Sequence, residues 1–272
     1  MGSCAGKKHP HSTSLPHPIN QKPNRSAFST SDLPEMSPTL LADLRKCSEE
    51  EGHRMHHKIK DCYDLAVAGK ASHTVEVNMK FVNLGDEGAA YLAKVLPAYG
   101  GLKSLRLWKT KLGVGGAKLI GAVLPCVPQL EVLSVEDNDI KAEGTVCIAA
   151  GLMQVPLLKE LYMHVNKMGL QGITALSKAL SAKSHLRILT LDENQITLPG
   201  LHILLPALAN SMQRITTLGL GFNMLGDEGA RDVQRAMKEM PELRKVTLTG
   251  NSVSAEVEGE LKQMVSAVYI VF

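Results

Sequence analysis

Three histidines, His53, His56 and His57, have the spacing that gathers imidazoles on one side of a helix, the way a helix offers nitrogen ligands to zinc. No other ligand type stands at a patterned distance from them, so a solvated helix face is expected and no metal is assigned. The five cysteines, Cys4, Cys47, Cys62, Cys126 and Cys147, are odd in number and share no metal-type spacing. They read as free thiols of a reducing compartment. Cys126 and Cys147 fall in helical stretches, and Cys147 directly precedes an apolar core position, so a small buried hydrophobe is expected there rather than a nucleophile. The paired carboxylates Glu136–Asp137 and Asp192–Glu193 could carry proton transfer only in an enclosed pocket that shifts a pKa, and nothing in their surroundings supplies one. There is also no glycine-rich phosphate loop. The expectation is a chain that is not an enzyme and takes no cofactor.

The other chemistry is at the start. Met1-Gly2-Ser3-Cys4-Ala5-Gly6-Lys7-Lys8 resembles an N-myristoylation site, with Gly2 as acceptor once Met1 is removed. Cys4 stands where a palmitoyl group is often added, and Lys7 and Lys8 attract anionic lipid. Gly6 departs from the preferred Ser or Thr, and a plain Met-Gly-Ser leader is the competing reading. Residues 1–36 carry five prolines among polar residues and few large apolar groups, a composition expected to stay disordered. They contain no hydrophobic stretch of the secretory kind, and no run in the chain reaches the roughly 18 apolar residues of a membrane span. A net charge of +3 gives no reason to expect nucleic acid. The expected location is cytoplasmic, or peripheral on the inner face of a membrane if Gly2 and Cys4 are acylated.

The elements that position any site come from a repeat. Leu84-Gly-Asp-Glu-Gly-Ala89 recurs as Leu225-Gly-Asp-Glu-Gly-Ala230, 141 residues later, which is five periods of 28 plus one. Units then begin at 74, 102, 130, 158, 186, 215 and 243, with the extra residue expected in the loop at 209–214. Two columns spaced by two are apolar in all seven units, Val77 to Val246 and Met79 to Leu248, the signature of a short strand with one buried face. Two more spaced by four, from Leu92 and Leu96, mark one face of a helix. Between them runs a column from Leu84 to Val253. It is followed by Gly85, Gly113, Lys141, Gly169, Thr197, Gly226 and Ser254, mostly types that suit a helix N-cap. A glycine three residues further on, from Gly88 to Gly229, is expected to let the helix lie close to the strand. Ahead of the repeats, residues 37–73 read as a helical N-terminal cap: Ser37-Pro38 starts a helix bearing Leu40, Leu41, Leu44 and Cys47, and Met55, Ile59 and Tyr63 form a second stripe.

The unit Leu130-Glu-Val-Leu-Ser-Val-Glu-Asp-Asn138-Asp-Ile140 resembles the leucine-rich-repeat consensus over most of its length. Unit length and an outer helix are similar to the ribonuclease-inhibitor-like subclass, which includes Ran GTPase-activating proteins and the repeats of nucleotide-binding immune receptors. The resemblance covers residues 74–272. It implies an α/β fold, a right-handed leucine-rich-repeat solenoid forming a horseshoe arc, with a parallel sheet on the concave face and helices on the convex face. Asn138, Asn166, Asn194, Asn223 and Asn251 hold the family's ladder position, from which Val82 and Thr110 depart.

Residues between the buried columns should face the concavity. Arg106, Trp108, Glu136, Asp137, Tyr162, His164, Asp192, Glu193 and Phe222 are the candidate contacts for a protein partner, because large aromatics on a rigid sheet are typical anchors. The acids could favour a basic partner; a solvated charge pattern is the plainer account. The reading is a monomeric interaction scaffold. Its alternative is a small-GTPase regulator resembling Ran GTPase-activating proteins, for which Arg106 is the nearest candidate residue, although that family's acidic tail is missing. The apolar stretch 267–272 is expected either to fold back as a cap over Leu248 and Leu261 or to serve as a docking tail.

Overall fold

A computed structural model describes residues 38–264 and 268–272. Gly2, Cys4, Val265 and Ala267 lie outside the described residues. Two helices, α1 (Pro38–Glu51) and α2 (His57–Val67), come first. Strand and helix then alternate: β1 (Glu76–Asn78), α3 (Gly85–Val95), β2 (Ser104–Arg106), α4 (Val114–Val123), β3 (Val132–Ser134), α5 (Lys141–Leu152), β4 (Glu160–Tyr162) and α6 (Gly169–Leu180). The series continues with β5 (Ile188–Thr190), α7 (Leu198–Ala207), β6 (Thr217–Gly219), α8 (Gly226–Met237), β7 (Lys245–Thr247), α9 (Ala255–Met264) and β8 (Tyr269–Val271). The strands form one parallel eight-stranded sheet in chain order, so every connection steps to the adjacent strand. This is an α/β solenoid of leucine-rich-repeat type.

The period is visible in the pairing. Glu76, Ser104, Val132, Glu160 and Ile188 are successive partners at 28-residue steps; the step to Thr217 is 29, and the next, to Lys245, is 28. The surplus residue is taken up between Leu208 and Ile215, where a short 3-10 turn, Met212–Arg214, intervenes. Both strand columns and the Leu92 column are at most 3 % exposed in every unit, so the repeat is held by one continuous apolar layer between sheet and helices.

Asparagine side chains tie neighbouring turns together. Asn138 Oδ1 accepts from the N–H groups of Thr110 and Leu112 at 3.0 and 2.9 Å, while its amide donates to Leu107 O and Val135 O. Asn194, Asn223 and Asn251 each accept in the same way from the N–H of the preceding ladder residue. These bonds satisfy backbone groups that the three-residue strands leave over. Thr110 takes a smaller share, its hydroxyl donating to Leu107 O at 2.9 Å, and Val82 is simply buried.

Two local expectations change. The residues after the Leu84 column do not act uniformly as N-caps: Gly85, Lys141, Gly169 and Gly226 have φ of 56 to 65° and turn the chain into the helix. Capping comes partly from the preceding turn, because Asp86 Oδ1 accepts from Gly113 N–H at 3.1 Å and Gly116 N–H at 2.8 Å, and Asp227 Oδ1 accepts from Ser254 N–H at 2.7 Å. The glycine column makes room for its own turn and the previous helix rather than the strand: a Cβ on Gly116 would meet Leu112 Cδ1 at 2.5 Å and Ala89 Cβ at 3.0 Å.

At the first end, α2 lies against α3, with Ile59, Tyr63 and Ala66 buried; Tyr63 Oη donates to Tyr91 O and Tyr99 Oη to Cys62 O, both at 2.9 Å. At the other end, among the described residues of the apolar stretch, Val268, Ile270 and Phe272 pack against the core. Residues 269–271 add β8 beside β7, with Leu248 N–H donating to Val271 O at 2.7 Å. Cys147 is half-buried and Cys126 exposed, so neither is the fully buried small hydrophobe expected of Cys147.

Candidate functional site: the open face of the sheet

Side chains alternate along a strand, so the residues between the Val77 and Met79 columns leave the core and form the face of the sheet that the helices do not cover. Arg106, Trp108, Tyr162, His164 and Asp192 are there, each half-buried by its neighbours. One position later, Phe81, Lys109, Asp137, Val165, Glu193, Phe222 and Gly250 all have left-handed φ of 51 to 70°. Only Gly250 suits that conformation without strain. Because all seven turns share it, it is the geometry that bends the chain out of the strand, and it carries Asp137, Glu193 and Phe222 to the rim.

At the first strands an aromatic pair forms. The rings of Phe81 and Trp108 stand 4.7 Å apart at 51°, with Lys80 Nζ 5.5 Å from the indole centre. Trp108 thus leans on a neighbour, while Phe81 remains 63 % exposed. Beside the pair is a depression of about 530 Å³ bordered by Lys109, Lys111, Asp137 and Asp139. Apart from Lys111 its charges are paired: Lys109 with Asp137 at 3.2 Å, and Asp139 with Lys141 and Lys167 at 3.2 and 3.1 Å. Lys167 and Lys141 hold the Asp139 carboxyl below its ordinary range.

The middle strands carry carboxylates. Glu136, expected as an accessible contact, is only 6 % exposed, and Ser134 Oγ donates to its carboxylate. It belongs to the structure of the face, not its surface. Tyr162 Oη donates to Glu160 Oε2 at 2.9 Å, and burial followed by that carboxylate pushes the phenol up to about 12. His164 Nδ1 lies 3.3 Å from Thr190 Oγ1. Arg106 Nε bonds Glu76 Oε1 at 3.0 Å. Asp192 leans over the next strand, where Gly221 N–H donates to its Oδ1 at 2.7 Å.

The open face thus brings the candidates together, with Trp108 near one end, Phe222 (56 % exposed) near the other, and Tyr162, His164 and Asp192 between them. Glu76 and Glu160 belong to it too. They stand two residues before Arg106's column, and the period of two was enough to find them. His53, His56 and His57 do not form a ligand cluster; His56 Nδ1 instead accepts from Lys58 N–H at the start of α2.

No family model matches the chain, and neither does any curated protein. Solved structures do show likeness. The tropomodulin C-terminal domain of Caenorhabditis elegans is 16 % identical, over 56 % of this chain and 92 % of that one, at a TM-score of 0.48. Leiomodin-1 actin-binding site 2 is 19 % identical, over 57 % and 89 %, at 0.48. A Bacteroides fragilis protein is 14 % identical, over 68 % and 60 %, at 0.44. With these three TM-scores below 0.5, the fold rests on the repeat and its sheet, not on these likenesses.

Proposed function

We propose that this chain is a non-enzymatic scaffold of the ribonuclease-inhibitor-like subclass that binds a protein partner on its open sheet face. Strands stack at about 4.8 Å and helices at 8–10 Å, so a stack of one each per turn curves with the sheet inside. The observation that carries the proposal is Phe81, 63 % exposed and seated on Trp108 beside an open depression. A large ring held in water on a rigid sheet costs free energy that a partner recovers by covering it. The alternative, a regulator of small GTPases through Arg106, gains nothing from the geometry, because that guanidinium is bonded to Glu76.

Trp108→Ala, with Phe81 intact, should weaken partner binding by roughly 2 kcal/mol, about 30-fold. Unchanged affinity in a folded variant would remove the assignment. A GTP-hydrolysis assay across small GTPases should show no acceleration; acceleration lost in Arg106→Ala would favour the alternative.

The same scaffold is tethered at the cytoplasmic side of a membrane by acyl groups on Gly2 and Cys4, and acts as a monomer. No helix among the described residues is long and apolar enough to cross a membrane, so an attachment there would use lipid chains. Mass spectrometry of the protein from its own cells should find both additions, with Gly2→Ala losing the first. An unmodified N-terminus would end this part of the proposal.

A further inference from the structure

On the helical side, away from the sheet, His202 on α7 faces Glu228 and Asp232 on α8, and one ligand atom from each lies within 4.8 Å of the others. Glu228 and Asp232 are four residues apart, so one helix presents both carboxylates on one face. His202 Nε2 is 2.8 Å from Asp232 Oδ2. The Asp232 side chain is only 11 % exposed, against 51 % for His202, so the carboxylate is held in place while the imidazole can turn. Arg235 also bonds Asp232, whereas Glu228 has no ion pair among the described residues. Across the next pair of helices, Arg231 meets Glu260 as an ordinary cation–anion pair at 3.2 Å. Between α7 and α8 the corresponding place holds an imidazole, two carboxylates and one guanidinium, leaving one negative charge uncompensated when His202 is neutral.

We infer that His202, Glu228 and Asp232 form a binding site for a zinc-class divalent cation that clamps the fifth repeat to the sixth. The donor set is one nitrogen and two carboxylate oxygens, which suits zinc, with bonds near 2.0–2.2 Å to both atom types and water as the fourth ligand. Magnesium takes oxygen ligands and holds its water, so it is not the expected occupant. Tetrahedral ligands at these bond lengths stand about 3.3 Å apart, so the His202–Asp232 pair, at 2.8 Å, opens slightly and Glu228, within 4.8 Å of both, draws in. Arg235 bonds the other Asp232 oxygen, Oδ1, and its positive charge opposes a cation at the site.

The test titrates Zn2+ into the full chain and follows Tm, with Mg2+ as the control and the visible absorption of Co2+ as a second readout. Zn2+ should raise Tm and Mg2+ should not. His202→Ala and Glu228→Gln should each weaken binding at least about tenfold, since even groups behind the ligands are worth that much. Glu228 is exposed, so its variant keeps the fold and the comparison holds if His202→Ala proves unstable. Arg235→Ala should bind more tightly. A wild type that does not respond, or a response unchanged in both ligand variants, would overturn the site and leave only an ion-pair network.

Discussion

The Asp192 carboxylate occupies the space in which a Gly219 side chain would stand: a Cβ built on Gly219 would collide with Asp192 Oδ2, and one on Gly221 would come within 2.9 Å of Oδ1. Two glycines on β6 and the turn after it therefore make a seat for an acid on the neighbouring strand. Burial pushes the Asp192 carboxyl up, opposed by the Gly221 N–H and by His164 and Lys245. An acid whose folded pKa is raised costs stability while ionised. That cost is present above the folded pKa and is relieved as pH falls through it toward the ordinary aspartate value near 3.9, because the folded state takes the proton first. Stability of the wild type relative to Asp192→Asn, measured by urea unfolding, should therefore improve between pH 7 and about 4. A difference that does not vary with pH would contradict the seat.

The ladder gives a second expectation. Asn194 Nδ2 donates to Met163 O and Asp192 O, and its Oδ1 accepts from Asn166 N–H, at 2.9, 3.0 and 3.1 Å. Asn194→Ala removes all three bonds but leaves only the Asn166 N–H without a partner, because Met163 O still accepts from Asn166 Nδ2 and Asp192 O from Val165 N–H, so the loss should be about 3 kcal/mol. Thr110→Ala, which removes one such bond to backbone, should cost about 1 kcal/mol. Urea unfolding of the two variants gives the comparison; equal losses would mean that the ladder does not couple the turns.

The final strand is the third. Removing residues 268–272 strips the Val271 carbonyl from Leu248 N–H and uncovers the edge of β7. Tm should fall and a hydrophobic dye should bind. A truncated chain that melts like the intact one would show that β8 contributes no closure.

Much of this was legible in the sequence because a repeat states each requirement seven times. The Val77, Met79 and Leu92 columns marked the core, and the single 29-residue step was placed in the loop where Met212–Arg214 forms its turn. Lateral relationships were harder to read. Glu136 looks like a surface acid within its own strand, yet it is buried and bonded by Ser134. Lys183 looks like a solvated loop lysine, yet it is 1 % exposed and its ammonium donates to Leu152 O and Val155 O at 2.6 and 2.8 Å. Those carbonyls end the preceding helical turn, 31 and 28 residues earlier. The His202 cluster joins helix positions outside every apolar column, so no periodicity drew attention to it.

The central claim is that the open sheet face, not the helical side, meets the partner. A photo-reactive benzophenone side chain placed at Thr190, half-buried on β5, and separately at Lys178, exposed on α6, samples the two sides of one molecule in cells. The account predicts a partner covalently trapped from position 190 and not from 178, with the yield reduced when Trp108→Ala is added. A partner trapped from 178 alone, or a yield at 190 indifferent to Trp108, would contradict it.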